Sequence, residues 1–564
     1  MNSTLRRVSF LVLIFLGSVL LYLPSARYAF VDYDDQEYVI ENPNMRGGLS
    51  WENAKWAFSS VGYADNWHPL AWISMMVDVS LAGPLDDENW ERRDNRVAHV
   101  MHLHNLLLHA VNAVLLFVLL GLFLKHGEED RQGDILRLLL AFFWAVHPLR
   151  CEVVCWCSER KELTSVFFML SSLIAYLSPV TGKVPKRLCY LGSLILFALA
   201  ILAKPVAVTL PVVMFAWEWI FGGKPKWLKI TPFILLSAAC CYLTMASQKV
   251  ALASGADQFV CQRLQSIFVA PLIYIRQTIW PSGLSSFYKL TFAMDWVGVV
   301  TGVLLVLSLI WVCIRWLWKR RAWAGIGAFG VAWMYIGLLP MLGVVKVGPQ
   351  EHADRYTYWI GCGLCAVLVL CWNQMKQSQL FARYATSILP HLAKVGVAVI
   401  LLLVYLTRSH MWVWSNTIAL MRDSLPKSWY GENAGILARH LEMTGKPEDR
   451  REAEMWLRET TAYRASTAAC AELALFLSHR PQMKTSIGNE GPYAEARYWA
   501  HRSLNGYKDQ SVAWEALGNC DFAEGKWEEA IADFEKAVPY SKRPDLVRQK
   551  IALCRQRQAQ EERR

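Results

Sequence analysis

The chain has 564 residues, 54% of them hydrophobic, and a mean hydropathy of +0.23. That balance excludes an ordinary soluble globular protein and points to repeated membrane-spanning helices. The net charge of +11 reads as Lys and Arg gathered in cytoplasmic loops, so no nucleic-acid partner is expected.

Arg6 and Arg7 precede an apolar run from Val8 to Leu23. No small-x-small cleavage site follows before the next polar cluster, so the run reads as an uncleaved first helix rather than a signal peptide. Residues 31–100 form a long first loop holding Trp51, Trp56, Trp67, Trp72 and Trp90. It is expected as short amphipathic helices on the membrane surface. Apolar runs follow at about 103–124, 135–149, 162–178, 187–203, 206–221 and 228–246, and then at about 297–318, 323–343, 357–373 and 391–412. A weaker run at 267–280 stops at Trp280-Pro281.

Charge placement sets the count. With the amino end inside, Lys125 to Arg137, then Lys183, Lys186 and Arg187, then Lys224, Lys226 and Lys229 all fall in cytoplasmic loops. Arg315, Lys319, Arg320 and Arg321 join them only if 267–280 is re-entrant or interfacial. The expectation is therefore an all-α polytopic bundle of eleven transmembrane helices over residues 1–414, with its carboxyl end outside.

Residues 415–564 change character to soluble helical patterns. Ala496 and Ala530 are 34 residues apart, as are Ser503 and Ala537. Trp514, Leu517, Gly518 and Phe534 surround the second copy. This is tetratricopeptide spacing, with small residues where paired helices touch. Residues 430–462 and 467–505 read as two further degenerate pairs.

Candidate chemistry gathers in the segments placed outside. Asp34 and Asp35 follow the first span, where a carboxylate can act as general base towards an acceptor hydroxyl; a plain solvated acidic loop is the bland alternative. The second loop carries Glu152 as a further acid, and Arg160 and Lys161 either as phosphate clamps or as a snorkelling basic pair at a helix end. Lys204-Pro205 sits between two apolar runs with almost no loop, so Lys204 must snorkel or meet an anion. His352, Arg355 and Tyr358 open a later span, with Arg355 suited to a phosphate and Tyr358 to donating a hydrogen bond. Asn66, Trp67 and His68 belong either to an acceptor groove or to an interfacial anchor. Cys151, Cys155 and Cys157 match no zinc spacing. No phosphate-cradling glycine loop, zinc protease pattern or nucleophile elbow is present, which argues against an ATP-driven pump and an ordinary hydrolase.

Taken in order, Tyr33-Asp34-Asp35, Asn66-Trp67-His68-Pro69-Leu70, His147-Pro148-Leu149 with Glu152, Ser158-Glu159-Arg160-Lys161, Ala203-Lys204-Pro205 and Ala353-Asp354-Arg355-Tyr356-Thr357-Tyr358 resemble the bacterial relatives of the transmembrane and tetratricopeptide-repeat O-mannosyltransferases. The resemblance implies a GT-C-type glycosyltransferase in a bacterial inner membrane, with the repeat domain periplasmic. It implies a polyprenyl-phosphate-linked sugar as donor and a protein or glycan hydroxyl as acceptor. Asp34 or Asp35 would be the base, Glu152 a second acid, and Arg160, Lys161 and Arg355 lipid-phosphate contacts. The acids leave room for a divalent metal such as Mg or Mn, but no ligand set demands one. A polyprenyl-lipid transporter and a non-catalytic scaffold are the alternatives; a transporter places its ionisable groups near the mid-membrane rather than at one face.

Overall fold

The computed structural model describes every residue except 1–2, 65, 84–89, 125–130, 179–184, 248–259, 289–293, 343–349, 464–465, 482–490, 542 and 564. Lys125, Lys183 and the start of the segment leading to His352 therefore lie outside the described residues. The fold is helical throughout the described residues, and the chain divides into two compact units, Met1–Asn416 and Thr417–Arg564.

The first unit is a multi-pass membrane bundle. Among the described residues eight helices are long and apolar enough to cross a bilayer, or nine if one bent pair counts as a span. Three of the eleven expected runs do not form a straight helix that is long and apolar enough by itself. The run at 135–149 is broken between Arg131–Ala145 and Pro148–Cys155, which bend by 57°, because Pro148 interrupts the helix. The helix Arg160–Leu177 opens with three charged residues, Arg160, Lys161 and Glu162. Pro205–Ile220 is a short apolar helix. The weak run is a helix, Val260–Ile279, that does not qualify as a span.

Apolar side chains gain little by leaving lipid, so close packing and polar contacts between helices hold such a bundle together. Gly363 lets the helix Thr357–Lys376 approach Trp333: a Cβ there would stand 2.6 Å from the ring. Trp144, Trp333, Trp359, Phe117 and Phe197 are fully buried around that contact. Ser172 and Ser193 exchange hydroxyl-to-carbonyl hydrogen bonds of 2.8 and 2.9 Å, which join Arg160–Leu177 to Lys186–Ala203.

The first loop builds a small core of its own rather than a row of separate surface helices. The helix Pro69–Ala82 buries Trp72, Met75, Met76 and Val79 against Tyr38, Met45, Ala57 and Met101. Tyr38 and Tyr63 meet the Trp72 ring edge-on at 4.6 and 5.9 Å, a favoured aromatic geometry. Asp34 and Asp35 are thereby carried on a folded cap.

In the second unit the helices pair in sequence order: Gly431–Met443 with Pro447–Tyr463, Thr467–Ser478 with Ala494–Gly506, and Ser511–Ala523 with Trp527–Ala537. Ala496, Ser503, Ala530 and Ala537 are all buried. Gly518 faces Phe534, and a Cβ there would stand 2.7 Å from the ring.

Candidate active site

Three backbone interruptions aim the site residues. Trp156 is extended (φ −105°, ψ 121°) and ends the short helix Cys151–Cys155, which turns the Ser158 N–H towards the first loop. Lys204 is also extended (φ −159°, ψ 138°), as a residue before proline tends to be. It thus leaves the helix Lys186–Ala203 and projects from its end. Arg355 sits in a one-turn segment, Asp354–Tyr356, at the start of a helix, where backbone N–H groups lack intrahelical partners. Its N–H donates to Glu152 Oε2 at 2.7 Å.

These interruptions converge on one polar cluster. Lys161 Nζ lies 3.0 Å from Asp34 Oδ2 and 3.5 Å from Glu159 Oε1. Lys204 Nζ lies 3.0 Å from Glu159 Oε2 and 2.9 Å from Glu162 Oε2. Arg355 Nε lies 3.6 Å from Glu159 Oε1, and its guanidinium pairs with Glu152. A continuous run of ion pairs therefore joins Asp34 to Arg355 through Lys161 and Glu159. The Trp156 ring supports the cations, with Lys161 Nζ 5.5 Å and the Arg355 guanidinium 5.7 Å from its centroid.

The two aspartates differ sharply. Asp35 is fully buried and accepts from Val31 N at 3.1 Å, Ser158 N at 2.9 Å and Ser158 Oγ at 2.5 Å. Burial pushes its carboxyl up to about 7, although those hydrogen bonds pull it down. Asp34 keeps 38% of its side chain exposed, so it is the one that faces outward. Glu159 follows the opposite logic. Burial raises it, but Lys204, Lys161 and Arg355 together outweigh burial and hold it at about 2. His68 is buried, and burial followed by the Lys161 and Lys204 charges holds it well below the usual imidazole range, so it serves as a neutral neighbour. Its Nε2 contacts Asn66 Oδ1 at 3.0 Å, and Asn66 Nδ2 donates to Tyr38 OH at 2.9 Å.

Several expected contacts are not brought here. Arg160 is fully buried and ion-paired to Asp78 at 2.7 Å, with further bonds to Asn105 Oδ1 at 2.5 Å and the Met101 carbonyl at 2.7 Å. One residue along a helix is a turn of about 100°, so Arg160 and Lys161 face different neighbours. Tyr358 lies in the bundle core, its hydroxyl meeting His109 Nδ1 at 2.9 Å and Asn112 Nδ2 at 3.2 Å. His352 is buried and stacks on Tyr288 with ring centroids 4.0 Å apart. Trp67 Nε1 donates to the Phe58 carbonyl at 3.0 Å, an anchor of the cap. Glu159 and Glu162 were not singled out in sequence. Their i, i+3 spacing at a helix start was the available signal, since it puts both on the face that meets Lys204.

Among the described residues no three His, Cys, Asp or Glu side chains form a metal-holding group. Glu152, Glu159, Glu162 and Asp34 each face a Lys or Arg instead, so this donor set does not fit a divalent ion.

No family model matches the chain. A stretch of 220 residues is 25% identical to protein O-mannosyl-transferase TMTC4 of Homo sapiens. The match covers 36% of this chain and 28% of that protein, a distant and partial relationship to an O-mannosyltransferase.

Proposed function

We propose that this chain is a membrane glycosyltransferase that moves a hexose from a polyprenyl-phosphate donor to an acceptor hydroxyl, a protein Ser or Thr in the first instance, on the non-cytoplasmic face. The observation that carries this reading is the run of ion pairs that joins Asp34 to Lys161, and Lys161, Lys204 and Arg355 to Glu159 and Glu152, from distant segments of the chain. The partial similarity to an O-mannosyltransferase supports the reaction class.

Asp34 takes the proton from the acceptor hydroxyl, whose oxygen bonds to the anomeric carbon. The bond from that carbon to the phosphate oxygen breaks, and its electron pair leaves with the polyprenyl phosphate. Lys161, Lys204 and Arg355, each held in place by a carboxylate, supply positive charge to the departing phosphate. A single displacement inverts the anomeric centre. The repeats of the second unit recognise the acceptor. Relative to the contacts expected from sequence, Arg160, Tyr358 and His352 act as scaffold.

The test uses the full-length protein in detergent, a radiolabelled polyprenyl-phosphate hexose and a Ser/Thr-containing peptide. Label passing to peptide supports the proposal. Donor that is neither consumed nor transferred by folded protein overturns it. A reporter fused after Lys427 tests the sidedness: activity confined to the cytoplasm contradicts it.

A further inference from the structure

The helix Val260–Ile279 does not qualify as a span, yet it and the turn after it hold the segment that carries Arg355. Glu351 N donates to the Tyr288 carbonyl at 2.8 Å. Ala353 N donates to Tyr274 OH at 3.3 Å. Asp354 Oδ1 accepts from Tyr288 OH at 2.8 Å and from Gln277 Nε2 at 3.4 Å. All these bonds fall on the residues just before Arg355.

The Tyr288 hydroxyl is the hub of this contact. Its proton goes to Asp354, and its oxygen accepts from Ser285 N at 2.8 Å and Gln277 Nε2 at 3.0 Å. A phenol hydroxyl has no further bonds to make. The ring stacks on His352, and both Gln277 and Asp354 are buried. Asp354 and Arg355 are neighbours in the chain but are drawn in opposite directions. The Arg355 guanidinium pairs with Glu152, its N–H donates to Glu152 Oε2 at 2.7 Å, and its Nη2 donates to Gln350 Oε1 at 3.1 Å. A carboxylate one residue away competes for the same guanidinium, and opposite charges attract strongly where water is excluded. The bond from Tyr288 is what occupies that carboxylate.

We propose that Tyr288, with Gln277 behind it, is a positioning residue for Arg355. It keeps the Asp354 carboxylate turned away, so the guanidinium stays on Glu152 at the ion-pair cluster. The inference rests on the reading of Arg355 as a donor-phosphate contact. It assigns to the non-spanning helix the task of keeping that contact in place.

The experiment measures the dissociation constant of the full chain in detergent for a polyprenyl phosphate that carries no sugar. Tyr288→Phe keeps the ring and removes the hydroxyl, and it should weaken binding about tenfold or more. Asp354→Asn keeps an oxygen that accepts from Tyr288 and removes the competing charge, so it should bind like the unaltered protein. Combining the two should restore most of the affinity that Tyr288→Phe loses. A hydroxyl that only supports the fold gives no such rescue, because its loss persists in the double variant. Unchanged binding in Tyr288→Phe, or a double variant that binds no better than it, overturns the proposal. Should Tyr288→Phe fail to fold, Gln277→Met takes its place, with a smaller loss expected and the same rescue by Asp354→Asn required. If the unaltered protein binds no polyprenyl phosphate, the reading of Arg355 falls and this proposal with it, a result distinct from the other two.

Discussion

Exchanging each aspartate of the pair separately for Asn separates a reacting group from a structural one. In Asp35→Asn the side chain must still serve three donors, from Val31 N, Ser158 N and Ser158 Oγ. One side of the amide carries hydrogens, so at least one buried N–H faces another donor. An unsatisfied buried group costs about 1–3 kcal/mol, and that is the expected loss. In Asp34→Asn the lost pair with Lys161 is partly exposed, 38% on the acid side. Discounted for solvent, it is worth under about 1 kcal/mol. The catalytic effects reverse that order: removal of a general base costs about 10²–10⁴-fold in rate, or about 3–5 kcal/mol of barrier. Thermal unfolding in detergent, combined with transfer per mole of folded protein, reads both. Asp34→Asn should keep its Tm and lose turnover. Asp35→Asn should lose several degrees and retain most turnover per folded molecule. Full turnover in Asp34→Asn, or a catalytically dead Asp35→Asn with unchanged Tm, would refute the assignment.

Other consequences follow from the same geometry. Glu159→Gln removes the counter-charge that Lys161, Lys204 and Arg355 share, while Asp34, Glu162 and Glu152 still pair with them one each, so a loss of about 1–3 kcal/mol should appear as a lowered denaturation midpoint. Arg160→Met leaves the fully buried Asp78 with His104 as its remaining partner; the expected cost is about 3 kcal/mol, and a variant that unfolds like the unaltered protein would contradict a structural role. The raised Asp35 carboxyl gives a pH test. Its folded value of about 7 exceeds its ordinary value of 3.8, so the native state holds the proton longer. Its contribution is therefore fully present below about pH 4 and is lost as pH rises towards 7. Tm measured from pH 4 to 8 should fall with a slope that Asp35→Asn flattens. Gly518→Val should destabilise the second unit, because a Cβ at that position already stands 2.7 Å from Phe534; limited proteolysis of residues 417–564 would report it.

The membrane class was legible in sequence because it rests on the local apolarity of uninterrupted runs, and the helix pairs after residue 415 because small residues recur at repeat spacing. The cationic residues Lys204 and Arg355 were legible for a similar local reason: a Lys before Pro between two apolar runs, or an Arg at a helix start, is costly unless it meets an opposite charge. Packing decided the rest. Asp34 and Asp35 are equivalent as letters, yet one turns into the bundle towards Ser158 and the other outward to Lys161. Arg160 and Lys161 are neighbours in the chain, and helix rotation sends one to Asp78 and the other to Asp34. Composition along a chain fixes which groups must avoid lipid. Which partner each group meets depends on how distant helices rotate and cross, and that is a property of the assembled bundle.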